Sequence, residues 1–64
     1  MASDWIHELR NAVNAVSLNA SVVRILLLQG NTAKAAGFND EVIKACERCR
    51  LLLDEAPPRD EGAA

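Results

Sequence analysis

The stretch "LLLQGNTAKA", residues 26–35, decides the fold. Upstream of it, from Asp4 to Gln29, neither proline nor glycine interrupts the chain. Gly30 is suited to the left-handed conformation that ends a helix, because it has no Cβ to clash. Asn31 or Thr32 can cap a second helix by accepting its first free amide protons. Pro57 and Pro58 stop that second helix, since the residue before a proline avoids helical geometry. Two helices of about 4–29 and 32–55, joined by so short a turn, form an antiparallel hairpin. Ser3 is expected to cap the first helix, with Asp4 in its first turn. "PPRDEGAA", residues 57–64, reads as a disordered tail behind a helical domain of residues 1–56.

Hydrophobic periodicity supports the same arrangement. Ile6, Leu9, Val13, Val16, Ala20, Val23 and Leu27 alternate spacings of three and four, as do Ala35, Phe38, Val42, Ala45, Cys49 and Leu52. With the turn centred on Gly30–Asn31, Leu9 is expected to face Leu52, Val13 to face Cys49 and Val23 to face Phe38. Gly37 weakens the second helix, and a break before "FND" (38–40) is the alternative to a continuous one. The heptad phase runs through Gly37 unbroken, which favours continuity. Leu18, Val22 and Ile25 form a further apolar stripe on the first helix, and Ile43, Cys46 and Leu53 form one on the second. A two-helix monomer leaves both in water. The expectation is therefore an all-α homodimer, two hairpins forming a four-helix bundle.

Composition agrees. The chain has 64 residues, half of them apolar and only Trp5 and Phe38 aromatic, which favours helix over sheet. A core this small needs a staple, and dimerisation supplies one. The net charge is −2 with scattered Arg and Lys, so no nucleic-acid partner is expected. The longest apolar run, Ile25–Leu28, is far shorter than the roughly 20 residues of a bilayer span. No signal-peptide pattern opens the chain. A cytoplasmic protein without membrane contact, its cysteines reduced, is the expectation.

"WIHELRNAVNAV", residues 5–16, holds the only histidine. Following the core position Ile6, His7 is expected on the flank of the seam, in solvent. Near neutral pH an exposed imidazole has a substantial unprotonated fraction and acts as a nucleophile. The neighbouring Glu8 can take the proton of the other ring nitrogen, and Asn11, one turn along, can orient a water or an oxygen. By itself a lone helical histidine is more often an ordinary surface residue.

"HELRNAVNAV", residues 7–16, resembles the H-box of the dimerisation and histidine-phosphotransfer domain of bacterial sensor histidine kinases, usually written H-E-[LI]-R-[TN]-P-L. His7, Glu8, Leu9, Arg10 and Asn11 match it, while Ala12 stands for the proline and Val13 for the leucine. The resemblance covers about Asp4 to Glu55 and implies a helical hairpin that dimerises into a four-helix bundle. It implies His7 as phosphoacceptor, Glu8 as general base and Asn11 as the residue orienting water or the phosphoryl group. Arg10, Asn14, Arg50 and Asp54 are expected to contact a partner. The missing proline implies a straighter helix below His7.

No ATP-binding domain fits in the chain, so autonomous kinase activity is not expected. A free-standing phosphotransfer protein is favoured over a kinase fragment. Phosphate would arrive from a separate histidine kinase or a phosphorylated receiver and leave to a receiver-domain aspartate. Mg²⁺ is expected on that receiver, and no cofactor or metal on this chain. The alternative is a non-catalytic dimerisation or adaptor module binding a kinase or response regulator.

Two other motifs point elsewhere and fail. "HELRN" opens like the zinc motif H-E-x-x-H, but Asn11 stands where the second histidine belongs. "CERC", residues 46–49, has C-x-x-C spacing inside a helix, where small buried hydrophobes are expected rather than a redox or zinc site. Asp40, Lys44, Arg50 and Asp54 are expected to form helical pairs on a solvated face.

Overall fold

The computed structural model describes residues 2–56. Helix α1 spans Ala2–Leu28 and α2 spans Thr32–Asp54, and the two pack against each other as a hairpin. The expected tail, 57–64, lies outside the described residues. Helix α1 begins earlier than expected, so Ser3 lies within its first turn rather than ahead of it; Asp4 is in that turn.

The turn follows from its residues. Gly30 has φ +77°. Its amide bonds to the Leu27 carbonyl at 3.0 Å and the Asn31 amide to the Leu26 carbonyl at 2.9 Å. This pair of bonds is the Schellman closure, which satisfies carbonyls that the end of α1 would leave open. Asn31 then caps α2, its side chain accepting from the Lys34 amide at 3.3 Å. One residue thus closes the first helix and opens the second, which leaves no slack between them.

Helix α2 is continuous through Gly37, so the alternative break is absent. A Cβ built on Gly37 meets nothing within 4 Å, and the same holds at Gly30. The two glycines are therefore expected to respond oppositely to alanine. Gly37→Ala removes a helix-interior entropy cost and should stabilise by about 0.5–1 kcal/mol. Gly30→Ala puts a Cβ on a left-handed residue and should cost about 1–2 kcal/mol. Thermal midpoints at one fixed protein concentration check the pair: up by a few degrees for the first, down by more for the second.

The seam of α2 is the expected one: Ala35, Ala45 and Leu52 are buried, Val42 and Cys49 half-buried, and Phe38 lies at the margin. The seam of α1 is rotated. Trp5, Leu9, Ala12, Val16, Asn19, Val23 and Leu26 are the buried or half-buried heptad, while Ile6, Val13, Ala20 and Leu27 are exposed. Every second layer has thus moved back one residue, turning the face by about 50°, half of one residue's step. Two polar groups make this rotation affordable. The Asn19 amide donates to the carbonyl of Ala15, 2.9 Å away in its own helix. The Trp5 indole N–H donates to the Leu52 carbonyl at 2.5 Å, tying the start of α1 to the last turn of α2.

The rotation also re-sorts the surface. On one flank, Val13, Val16, Cys46, Cys49, Arg50 and Leu53 line an almost wholly apolar hollow. A second hollow, with Val23, Leu27, Ala35 and Asn39, continues it toward the turn. The opposite flank is charged, with Glu8, Lys44, Arg48 and Glu55 around Leu51. Leu18, Val22 and Ile25, the further apolar stripe of α1, fall by helical spacing on the side of α1 remote from Val13 and Leu27. The expectation that Cys46 is buried fails as well: Cys46 is exposed and Cys49 half-buried, both free thiols.

Within Asp4–Leu28 of α1, an 18-residue stretch reaches a mean hydropathy of 1.4, long and apolar enough to cross a membrane by length and composition, a test that the core helix of a soluble protein also passes. Counting only uninterrupted apolar runs does not register this, because Arg24 cuts the longest run while Val22, Val23 and Ile25–Leu28 keep the local average high. Helix α2 carries Lys34, Glu41, Lys44, Glu47 and Arg48 and cannot accompany α1 into hydrocarbon.

Candidate functional site

His7 is exposed and has no hydrogen bond or ion pair among the described residues. With the α1 seam on Trp5, Leu9 and Ala12, His7 falls on the side of α1 directed away from α2. Asn11 follows one turn on and Asn14 two turns on, both exposed, so the three form one outward stripe. His7 is in solvent as expected, but the rotation of α1 moves it from the expected flank of the seam to the face away from α2. Arg10 is exposed beside this stripe.

Glu8 does not join them. Consecutive helix residues point about 100° apart, so sequence neighbours do not face each other. The Glu8 carboxylate instead accepts from Arg48 across the hairpin, Oε1 to Nη2 at 2.9 Å. Both side chains remain more than half exposed, at 51% for Glu8 and 60% for Arg48. Sequence reading missed Arg48. Its one available signal was position: Arg48 and Glu8 fall opposite each other when Trp5 is placed against Leu52.

Arg50 and Asp54 are at the same end of the hairpin as His7 but are not brought into contact with it. Arg50 bonds to Glu47 and lies 3.7 Å from Asp54. The Glu47 hydrogen bond and charge hold the Arg50 guanidinium above its ordinary value, opposed by desolvation, with Asp54 adding least. The expected pairing of Arg50 with Asp54 is present, whereas Lys44 pairs with Glu41 at 3.3 Å rather than with Asp40.

This arrangement offers an accessible imidazole, an amide one turn away on the same face, and a carboxylate close in sequence but engaged elsewhere. Among the described residues no cluster of three His, Cys, Asp or Glu side chains could hold a metal ion. No family model, curated protein or solved structure matches this chain. The all-helical hairpin is compatible with a dimerisation and histidine-phosphotransfer domain.

Proposed function

We propose that this protein is a dimeric histidine-phosphotransfer module of a two-component or phosphorelay system, working in the bacterial cytoplasm. The observation that carries the reading is "HELRN" at the open end of a helical hairpin, with His7 and Asn11 on a face clear of α2. In the first half-reaction the unprotonated Nε2 of His7 attacks the phosphorus of a donor phosphoaspartate. The N–P bond forms, the P–O bond breaks, and the donor carboxylate leaves with the electron pair. The Nδ1 proton passes to Glu8, leaving a neutral phosphorylated imidazole. The second half-reaction reverses these steps onto a receiver aspartate. Asn11 orients the phosphoryl oxygens or an attacking water, and Arg10 and Asn14 line the approach of the receiver. The receiver contributes its own Mg²⁺.

The dimer belongs to the same proposal. Among the described residues only Ala12, Ala35, Ala45 and Leu52 are buried, three of them alanines. The apolar flank leaves Ile6, Val13, Leu27, Ile43 and Leu53 about half exposed. Covering the rest of those five side chains on each of two protomers contributes on the order of 10 kcal/mol. That is comparable with the cost of association, and a second copy of the chain offers the matching surface.

Incubation with a phosphorylated receiver domain, or with a sensor kinase and ATP, should place an acid-labile label on the wild-type protein and none on His7→Ala. Absence of label where an active phosphotransferase is labelled, or equal label on the variant, overturns the proposal. Binding of the receiver by both proteins without any label would favour a non-catalytic adaptor.

A further inference from the structure

We propose that Arg48 is a positioning residue for the phosphoacceptor site, and that its ion pair with Glu8 holds the base away from the His7 ring. The inference rests on reading His7 as the phosphoacceptor and Glu8 as its base. It starts from a mismatch of directions. His7 points away from α2, whereas Glu8 reaches back to α2 and ends 2.9 Å from the Arg48 guanidinium. A carboxylate engaged there is turned away from the Nδ1 proton of an imidazole that leaves the helix about 100° round from it. Transfer to His7 therefore requires the Glu8–Arg48 pair to open first.

The surroundings make opening feasible. Both partners are largely exposed, so water replaces each one's lost contact at little cost. Arg48 also shares its hollow with Glu47 and Glu55, so its charge is not stranded when Glu8 turns away. Lys44 lines the same hollow and already pairs with Glu41. Arg48 is thus the group that competes with His7 for Glu8, and its removal should speed the step in which Glu8 acts.

The test is the initial rate at which a phosphorylated receiver domain labels His7, measured across donor concentrations. Arg48→Ala should raise the maximal rate roughly two- to five-fold, the range that opening a surface ion pair controls. Arg48→Lys, which keeps the charge, should stay close to wild type. Glu8→Gln should be slow, and the double variant Glu8→Gln/Arg48→Ala should be no faster than Glu8→Gln alone. Far-UV circular dichroism should be unchanged throughout, since both side chains are on the surface. Label on the wild type with no gain in Arg48→Ala, or a gain that persists when Glu8 is glutamine, overturns the role of Arg48 alone. No label on the wild type overturns the phosphoacceptor reading, and this inference with it.

Discussion

On the proposed pairing of two hairpins through the apolar flank, Val13→Glu should be a monomer at micromolar concentration and lose most of the helical signal. Val13 is half exposed in the hairpin, at 51%, and borders the apolar hollow with Cys46, Cys49 and Leu53. In a two-fold bundle both copies of a residue on this flank lie near the shared axis. A carboxylate there would bury two unpaired like charges, a penalty of several kcal/mol. Little else would hold the monomer, because its core is three alanines and one leucine. Lys44→Gln, on the charged flank, should leave both mass and helicity unchanged. Light scattering with circular dichroism on the same samples decides the matter. A wild-type chain that is monomeric and fully helical, or a Val13→Glu chain that remains dimeric, would show that the apolar flank is not the interface.

Leu52→Ala is the second large effect. Leu52 is the one large side chain in the buried set, at 7% exposure, and its carbonyl receives the Trp5 indole. Truncating a buried leucine costs about 2–5 kcal/mol, depending on how far the site collapses. In a protein this small that is a large fraction of total stability, so the thermal midpoint should fall by more than about 10 °C. Leu18→Ala is the informative contrast. Leu18 is 67% exposed on the side of α1 away from the apolar flank, and its loss should stay within about 0.5 kcal/mol. The lone tryptophan reports on the Leu52 end directly, so fluorescence and circular dichroism should give coincident transitions. Equal midpoints for the two variants would contradict the packing described for Leu52.

Much of the hairpin is legible in the sequence. Gly30 followed by Asn31 has one economical use, ending one helix and capping the next, and both residues do so. The α2 seam was legible because its heptad positions are apolar and its other positions mostly are not. The α1 seam was misread for the complementary reason. Counting apolar residues selects Ile6, Val13, Ala20 and Leu27 over Trp5, Ala12, Asn19 and Leu26. Asn19 is polar and Trp5 falls one residue ahead of the register that starts at Ile6, yet each finds a hydrogen-bond partner at the seam. The rejected set still carries information, because it marks the apolar flank left uncovered by one hairpin.

The candidate site divides along the same line. That His7, Asn11 and Asn14 share a face follows from helical spacing alone, whatever the helix packs against. Where that face points, and where Glu8 goes, depends on the rotation of α1 against α2, which local sequence does not encode. Rotation is set by which side chains interdigitate between the two helices and which polar groups find partners there. The sequence by itself determined two helices, their turn and a histidine stripe. Only the tertiary structure decided that the stripe faces away from α2 and that Arg48 holds the carboxylate beside it, because contacts between residues forty positions apart exist only once the helices have docked.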